Sequence, residues 1–566
     1  MSSVASESLA SAERQGALTP QTEKEQSELA EKSLGMQSTI PATSTTSPEP
    51  GEDEMDYPSG LRLWLLTIAL FLSVFLVALD NTVIATAIPK ITDQFNSLND
   101  VGWYGSAYML TTAATQLLFG KLYTFMPVKW VFVSAIVVFE IGSAICGAAP
   151  NSISLIIGRA IAGLGSAGIF SGAMIIIANT VPLRKRPIYS GIIGATFGIA
   201  NVAGPLMGGV FTDKITWRWC FLINLPPGAI TLLFLIFFFK MPGKAQVKKE
   251  MSFKERLMQF DPIGTAIFIP AIVCLLLALQ WGGTQYAWKD GRIIALFILF
   301  GFLISVFIAV QVRQGDQATI PVRIFMQRSV WSGTWYALSI GVGLVIFSFY
   351  LPIYFQTVHN VSALKSGIST LPLILAVVAS SILAGALVTR LGYYAPFMIV
   401  STVVSTVGAG LISTLGVSSG ANKWIPYQII HGFGLGLGTQ QPMLAVQVVL
   451  DMADVPTGLS IIMFSQSIRG ALFVSVGQNV FNNKLVTGLA KYVPDLDPNV
   501  VLSAGATAVR SNVPADKLAG VLLAYSDALD SAFYVAVAMS ALSIIGCLAI
   551  EWKSVKAKKV QTDTAS

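Results

Sequence analysis

The chain has 566 residues, of which 54% are hydrophobic and only 12% charged, and its mean hydropathy is +0.67. Soluble domains carry about 25% charged residues, so this composition excludes a soluble globular protein. The formal charge of +6 does not indicate nucleic-acid binding, because the cationic cytoplasmic loops of a membrane protein account for it. Apolar runs of about 20 residues, each long enough to cross the hydrocarbon layer, recur along the chain and predict an all-α polytopic membrane protein.

Residues 1–57 are rich in Ser, Thr, Glu, Pro and Gln. They predict a disordered tail, because they offer too little apolar area to offset the chain entropy lost on folding. We expect no signal peptide before the first apolar run, which starts after residue 60 and is expected to act as an uncleaved anchor. From there we expect fourteen membrane spans, at 61–84, 101–122, 130–149, 152–180, 188–211, 218–240, 262–281, 292–312, 331–353, 367–388, 395–415, 424–447, 458–482 and 531–550.

Loop charges orient these spans. The basic loops lie on the same side as the N-terminal tail, as the positive-inside rule requires. The loop after the twelfth span is the exception, since it contains Asp451 and Asp454 and no Lys or Arg. Both termini are therefore expected in the cytoplasm of a multi-pass protein, with segment 483–530 outside. The basic residues concerned are Arg184, Lys185, Arg186, Lys244, Lys248, Lys249, Lys254, Arg256, Arg313, Arg323, Arg328 and those of the C-terminal KSVKAKK.

A short repeat follows the second and the tenth span. GKLYTFMPVKW (120–130) and GALVTRLGYY (385–394) both read G-x-L-x-T and are followed by basic residues. Similar turns in two halves predict two related bundles, 58–240 and 329–552, separated by linker helices and loops at 241–328 and followed by a C-terminal tail at 553–566. The predicted cytoplasmic gating residues are Gly120, Leu122, Lys129, Gly385, Arg390 and Gly392.

Four charged residues fall inside predicted spans, where ionisable groups are costly and often functional. Asp80, Glu140 and Arg159 predict a proton-relay set, since burial disfavours the charged form of a carboxylate and a nearby Arg favours it. Alternatively, Asp80 and Arg159 lie near span ends and reach towards the headgroups, and Glu140 is a hydrogen-bond partner between helices. Arg469 is either a substrate contact or a charge-neutralising partner for a carboxylate.

Polar side chains dot other spans, and most are expected to be interfacial or helix–helix partners. A minority is expected to line a mainly apolar substrate cavity, and the candidates are Gln116, Tyr354, Gln440 and Arg469. The sequon Asn360-Val361-Ser362 falls on the outer side and predicts a glycosylation site at Asn360.

The stretch GIANVAGPLMGG (198–209) crowds Gly and Pro into an apolar run. Ala200, Gly204 and Gly208 are four residues apart, so they share one helix face that another helix can approach closely. Pro205 removes the hydrogen bond to the carbonyl of Asn201 and is expected to bend the helix. We interpret the stretch as a pivot or seal between the two bundles.

The sequence predicts no metal site, since it has two histidines and four cysteines without CxxC spacing. It has no Walker A pattern for ATP use and no nucleophile–base constellation that would indicate an enzyme. The four cysteines lie in or beside apolar segments and are expected to be small core residues.

Several motifs together resemble those of the major facilitator superfamily, and within it the fungal fourteen-span drug:proton antiporters. They are LDNTVIATAIPKI (79–91), GKLYTFMPVKW, GRAIAGLGSAG (158–168), GIIGATFGIANVAGPLMGG (191–209) and DVPTGLSIIMFSQSIRGALFVSVGQNVF (454–481). The antiporter motif G-x8-G-x3-G-P-x2-G-G corresponds to Gly191, Ala200, Gly204, Pro205, Gly208 and Gly209, with Ala200 in place of a usual Gly. In the loop motifs Thr124 and Thr389 replace the usual Asp, and Pro127 replaces a usual Gly.

The resemblance implies the major facilitator fold with two inserted helices, and alternating access driven by a proton gradient without a cofactor. It implies a role for Arg159 in proton coupling and export of a small, largely apolar compound such as a fungal secondary metabolite, toxin or drug. A monomer in the cell membrane is expected, with a vacuolar or vesicle membrane as an alternative. Import of a siderophore or nutrient, and a non-transporting receptor, are the alternative functions.

Overall fold

The structure, a computed structural model, describes residues 57–95, 97, 100–239, 259–283, 285–498, 500–501 and 513–556. The predicted disordered tail, apart from Tyr57, lies outside the described residues, as do residues 557–566 and the predicted basic loop from Lys244 to Arg256. The helices are α1 Leu61–Phe95, α2 Val101–Phe125, α3 Val128–Ala148, α4 Ser152–Thr180, α5 Arg186–Lys214, α6 Trp219–Leu222, α7 Leu225–Phe238, α8 Pro262–Trp281, α9 Gly291–Gln314, α10 Val322–Phe325, α11 Arg328–Ile340, α12 Val342–Thr357, α13 Ala363–Ser369, α14 Leu371–Leu391, α15 Ala395–Ile412, α16 Ala421–Gly438, α17 Gln441–Val449, α18 Val455–Tyr492 and α19 Leu518–Ala549.

Each of the fourteen predicted spans coincides with one helix or a broken pair of helices. Twelve helical stretches among the described residues are long and apolar enough to cross a membrane. The two others are α2, which carries many Ser, Thr, Gly and Gln residues, and the α16–α17 pair, which is polar and broken. The chain is thus a multi-pass membrane protein, and the count of fourteen spans is not confirmed.

Three of the predicted spans are interrupted. The breaks are at Asn224 between α6 and α7, at Gly341 between α11 and α12, and at Gln440 between α16 and α17. Local sequence explains two of them, because Pro226 and Pro442 follow the break and proline favours the first turn of a new helix. Half-helices in membrane transporters place backbone ends and polar side chains in the interior.

Two bundles meet along two seams. Helix α2 packs against α18, and α5 packs against α14. Counting the predicted spans, these are spans 2 with 13 and 5 with 10, which is the reciprocal pairing expected when span n of the first half corresponds to span n+8 of the second. Helices α8 and α9 pack on each other, and α8 lies against both α2 and α18.

Close helix approach depends on small residues. A side chain on Gly142 of α3 would overlap the backbone of Ala162 in α4, and one on Gly434 of α16 would overlap Ser405 in α15. Because lipid supplies no hydrophobic drive between helices, such close van der Waals contact is a main source of their association.

The helices α18 and α19 run 38 and 32 residues, further than the predicted spans 458–482 and 531–550. A side chain on Gly488 would touch Ala524, so the extended ends pack on each other. The segment 483–530, predicted to lie outside, therefore includes the ends of both helices, and the connection between them is shortened to residues 493–517.

Candidate functional site

Asp80 and Arg159 form an ion pair inside the first bundle. Arg159 Nη1 donates to Asp80 Oδ2 at 2.5 Å, and both side chains are 0% exposed. Asp80 lies on α1 and Arg159 on α4, a helix whose N-terminus is capped by the Asn151 side chain accepting from Ser154 N–H. Side chains that reached for headgroups would emerge at the surface of the domain, so the alternative interpretation of these two residues as snorkelling groups is wrong.

Three further contacts hold the guanidinium of Arg159. Its Nε donates to the backbone carbonyl of Tyr104 at 2.8 Å. The Tyr108 and Phe221 rings lie 4.3 and 5.8 Å from the guanidinium carbon, within the range of cation–π attraction. The cation is therefore fixed by groups from α2 and α6 as well as by Asp80.

Asn224 is a member of this site that the sequence analysis missed. It lies at the break between α6 and α7 and is fully buried. Its Nδ2 donates to Asp80 Oδ1 and to Ser143 Oγ, each at 3.1 Å. Asn224 thereby satisfies the carboxylate oxygen that faces away from Arg159. The Asn-Leu-Pro-Pro pattern that follows α6 marks the break. A polar amide side chain at a predicted break in a span is the sequence feature that could have identified Asn224.

Glu140 lies on α3, one turn before Ser143 on the same helix. The side chain is buried, and both of its carboxylate oxygens lack a hydrogen-bond partner among the described residues. A Cβ on Gly228 of α7 would overlap Glu140 Oε1, so the carboxylate lies directly against the α7 backbone. The alternative interpretation of Glu140 as a hydrogen-bonded partner between helices is not what the structure shows.

The antiporter motif residues on α5 face two ways. Gly204 and Gly208 pack against Thr82 and Thr86 of α1 in the same bundle, and Thr82 Oγ1 donates to the Ala200 carbonyl at 3.2 Å. Gly191 approaches the carbonyl of Ser381 in α14, across the seam. The stretch 198–209, which we interpreted as a pivot or seal between the bundles, meets the second bundle through Gly198, which packs against Val378 of α14, while Gly204 and Gly208 pack within the first bundle. Pro205 and Gly209 do not take part in either contact, since Pro205 is exposed and a Cβ on Gly209 would meet open space.

The ends where α2 stops and α18 begins, and where α14 stops and α5 begins, lie on one side of the domain; we call this side the inner end, since the sequence predicts it to be cytoplasmic. Gly120 of α2 fits against Ser460 of α18, and Gly385 of α14 fits against the Pro187 carbonyl at the start of α5. These two predicted gating residues therefore lie in the two seams.

The other predicted gating residues lie elsewhere at the inner end. Lys129 donates to the Ile236 and Phe239 carbonyls at 2.8 and 2.7 Å and so caps α7. Gly392 ends α14 with φ +92°, a backbone conformation that favours glycine. Leu122 is half-buried in the core of the first bundle, and Arg390 is exposed.

No contact links the four candidate cavity residues within the described parts of the chain. Gln116 donates to Ser171 Oγ and approaches Met463 of α18, and Gln440 lies against Gly194 of α5, so both are at seams. Tyr354 OH donates to the Gly416 carbonyl at 2.9 Å and bonds His359 Nε2 at 3.0 Å.

Arg469, the fourth candidate, lies on α18 beside the break in the ninth predicted span. Its Nη1 donates to the Ala337 carbonyl at 2.7 Å. The guanidinium group also lies against Gly341, where α11 ends. A cation at the end of a half-helix is stabilised by the partial negative charge there. Among the described residues, no carboxylate pairs with Arg469. The charge-neutralising role considered from the sequence is therefore not what the structure shows.

The sequon residue Asn360 is exposed and has φ +53°, and its glycosylation stays a prediction. Among the residues that the structure describes, no group of three or more His, Cys, Asp or Glu side chains could hold a metal ion. The four cysteines are buried and unpaired with one another.

Comparison with known proteins shows the family. The model of the Major Facilitator Superfamily matches residues 70–474. The MFS-type efflux pump MFS1 of Arthroderma benhamiae is 57% identical over 513 residues, covering 91% of this chain and 96% of that protein. Efflux pump roqT of Penicillium rubens is 54% identical (87% and 91% covered), and efflux pump aflT of Aspergillus parasiticus is 50% identical (88% and 97% covered).

Solved structures share the fold at low identity. The proton:xylose symporter XylE bound to 6-bromo-6-deoxy-D-glucose has a TM-score of 0.53 at 15% identity, covering 86% of this chain and 94% of that one. The human organic anion transporter MFSD10 has a TM-score of 0.51 at 13% identity, covering 84% and 100%. These neighbours are transporters, not enzymes. From the match over residues 70–474 and the identity to three fungal efflux pumps, this chain is a member of the Major Facilitator Superfamily.

Proposed function

We propose that this chain is a proton-coupled antiporter that exports a small, largely apolar organic compound, such as a fungal secondary metabolite, toxin or drug. The export direction is supported by relatives named efflux pumps that are 50–57% identical over most of their length. Coupling to protons is supported by the buried set of Asp80, Arg159, Asn224 and Glu140, since ionisable groups inside a membrane domain commonly mark proton or substrate pathways.

The observation that carries the proposal is the difference between the two buried carboxylates. Asp80 has a cation on one oxygen and an amide donor on the other. Glu140 has neither among the described residues. An isolated carboxylate in a low-dielectric site is costly to keep charged, so Glu140 is suited to carry the proton, while the Asp80–Arg159 pair holds α1 to α4.

The effect of protonating Glu140 would reach the ion pair through neighbouring groups. Glu140 and Ser143 are three residues apart on one face of α3, and Asn224 bonds both Ser143 and Asp80. A change of charge at Glu140 therefore acts on the α3–α7 contact and, through Asn224, on α1. Such a change would bias the two bundles towards one of their alternating arrangements.

The remaining features are inferred from the sequence pattern. We infer fourteen spans with both termini in the cytoplasm, a monomer in the cell membrane, and a proton gradient as the driving force without any cofactor. Gly191 and Gly385 on one seam and Gly120 on the other would let the inner ends close tightly, which is the close contact that rocking of two bundles requires.

The test is transport by the purified full chain in liposomes. An extract of fungal culture metabolites and the dye rhodamine 6G are loaded, a pH gradient of either sign is imposed, and cargo movement is followed by mass spectrometry and fluorescence. We expect at least one compound to move against the proton flux and to stop when the gradient is collapsed. Movement of cargo in the same direction as protons, or movement indifferent to the gradient, would contradict antiport.

A further inference from the structure

The inner end lacks the acidic groups that the loop motif usually carries, since Thr124 and Thr389 occupy those positions. At the α2–α18 seam, Thr124 Oγ1 lies 3.4 Å from Thr457 Oγ1. A hydroxyl pair at this distance is a weak link between two bundles. Another interaction is needed to hold this end closed.

Lys121, on α2 and only 2% exposed, supplies one link. Its Nζ donates to the Gln317 carbonyl at 3.3 Å, in the segment that follows α9. Asp261, Asp316 and Asp454 all lie near enough to attract this ammonium group. Lys121 of the first bundle is thus tied to the linker by a hydrogen bond and by charge.

Arg323, on the short helix α10 of the linker, supplies the second link. Its Nη1 and Nη2 donate to Asp454 Oδ2 and Oδ1 at 2.7 and 3.1 Å, and its Nε donates to Asp316 at 3.3 Å. Asp454 immediately precedes α18 of the second bundle. A bidentate Arg–carboxylate pair adds geometric specificity to its energy.

The segment between these two links is held rigidly. Asp261 Oδ2 accepts from Gln311 Nε2 at 2.6 Å and from Thr319 N–H and Oγ1 at 2.9 and 2.8 Å. Gln311 Oε1 in turn accepts from Ile320 N–H at 2.7 Å. The start of α8, the end of α9 and residues 315–320 therefore form one braced unit.

We propose that residues 315–323 of the linker are a latch, which closes the inner end by joining Lys121 of the first bundle to Asp454 of the second. The latch rests on the alternating-access part of the proposed function, because it has a role only if this end opens and closes. The latch gives the inserted helices a mechanical function. It would hold the inner end closed in place of the Asp residues that are usual at positions 124 and 389.

The test measures closure directly. In the full chain, Thr124→Cys reports on the α2–α18 seam, and Ile188→Cys, at a position whose backbone approaches Gly385, reports on the α5–α14 seam, in nanodiscs labelled with a charged maleimide. The native cysteines are buried, so background labelling is low. Exposed ion pairs are weak, so we expect Arg323→Gln or Asp454→Asn to raise both labelling rates about two- to fivefold, and Lys121→Met to raise them as well.

Two controls keep the result interpretable. Arg313→Gln removes the same charge from the last turn of α9, where the residue is exposed and has no ion pair among the described residues, and should leave both rates unchanged. Arg323→Lys keeps the positive charge between Asp316 and Asp454 but loses the bidentate geometry, so it should raise the rates less than Arg323→Gln does. Equal rates in Arg323→Gln and Arg313→Gln, a change confined to the Thr124→Cys reporter, or equal rates in Arg323→Lys and Arg323→Gln would each overturn the latch.

This experiment separates the latch from the transport proposal, because labelling requires neither cargo nor a proton gradient. Labelling that changes as expected in a protein that shows no proton coupling would keep the latch and remove the antiport mechanism. Proton-coupled export with labelling rates that ignore Arg323 would do the reverse.

Discussion

The Asp80 carboxylate lies 2.5 Å from Arg159 Nη1, and neither side chain is exposed. Moving two charges out of water costs several kcal/mol for each ion, so the pair is stable only because both ions keep additional partners. Tyr104 supplies a carbonyl to the cation and Asn224 an amide to the anion. The pair joins α1 to α4, so both helices are expected to move as one body.

Breaking this pair should be far more harmful than neutralising it. Arg159→Gln leaves the buried Asp80 carboxylate without its cation, and Asp80→Asn leaves the buried Arg159 cation without its anion. Each single variant should therefore lower the free energy of unfolding by about 3–5 kcal/mol. Asp80→Asn combined with Arg159→Gln removes both charges and should recover a large part of that loss. Thermal unfolding in detergent micelles, followed with a thiol-reactive dye, measures the three variants. Losses that simply add in the double variant would contradict a directly coupled pair.

Glu140→Gln should separate coupling from stability. The substitution keeps the size of the side chain and removes a charge that has no partner among the described residues, so the unfolding temperature should stay the same or rise. Cargo movement in liposomes should stop responding to the pH gradient.

Glu551→Gln is the matched control for Glu140. Glu551 lies after α19 and pairs with Lys553 at 3.1 Å near the surface, and its loss should leave coupling intact because such pairs contribute about 0–1 kcal/mol. Coupling that survives Glu140→Gln would assign the proton to another group.

Gly204→Leu should abolish export while the protein still inserts into the membrane. A Cβ at Gly204 would overlap Thr82 of α1, whereas Gly209, further along the same helix, has open space. Forcing a large side chain into a packed contact costs about 1–3 kcal/mol. The leucine side chain would therefore push α5 away from α1. Gly209→Leu is therefore the control, and both variants are compared for surface expression and export. Equal export by the two would show that the α1–α5 contact is not required.

Much of the fold was predictable because hydropathy reports directly on membrane spans. All fourteen apolar ranges coincide with helices, and the Gly and Pro residues of 198–209 lie in one continuous helix, α5. The direction of packing was not predictable. A face of small residues shows that another helix can pack closely against it. Which helix packs against Gly204 depends on the arrangement of all the helices.

The candidate site was predictable where charge marks it and not elsewhere. Asp80, Arg159 and Glu140 stand out because ionised groups are rare in apolar runs. Asn224 carries no charge, and its two hydrogen bonds depend on a helix break and on α1 and α3. The contacts of the latch join three distant segments of the chain, so no local pattern indicates them.

Asp261 gives a prediction about pH. Burial by itself raises the pKa of this carboxyl, but hydrogen bonds from Gln311, Gly264 and Thr319 outweigh it and hold the pKa below its usual range. A group whose pKa is lower in the folded state stabilises the protein above the pKa of the unfolded chain, about 3.9 for Asp. That contribution is lost as the pH falls through the folded pKa.

We therefore expect the linker unit to be insensitive to pH between about 5 and 8 and to weaken only in stronger acid. Asp261→Asn should lower stability at neutral pH by about 1.5–3 kcal/mol, the usual contribution of hydrogen bonds to a charged group, and should flatten the acid side of the stability curve. Asp290→Asn is the control, since Asp290 is a partly exposed cap whose side chain accepts from Arg292 N–H. Unfolding temperatures of the three proteins from about pH 3.5 to 8, taken as differences from the parent, isolate the Asp261 contribution. Parallel curves for the parent and Asp261→Asn would show that this carboxyl does not titrate with unfolding.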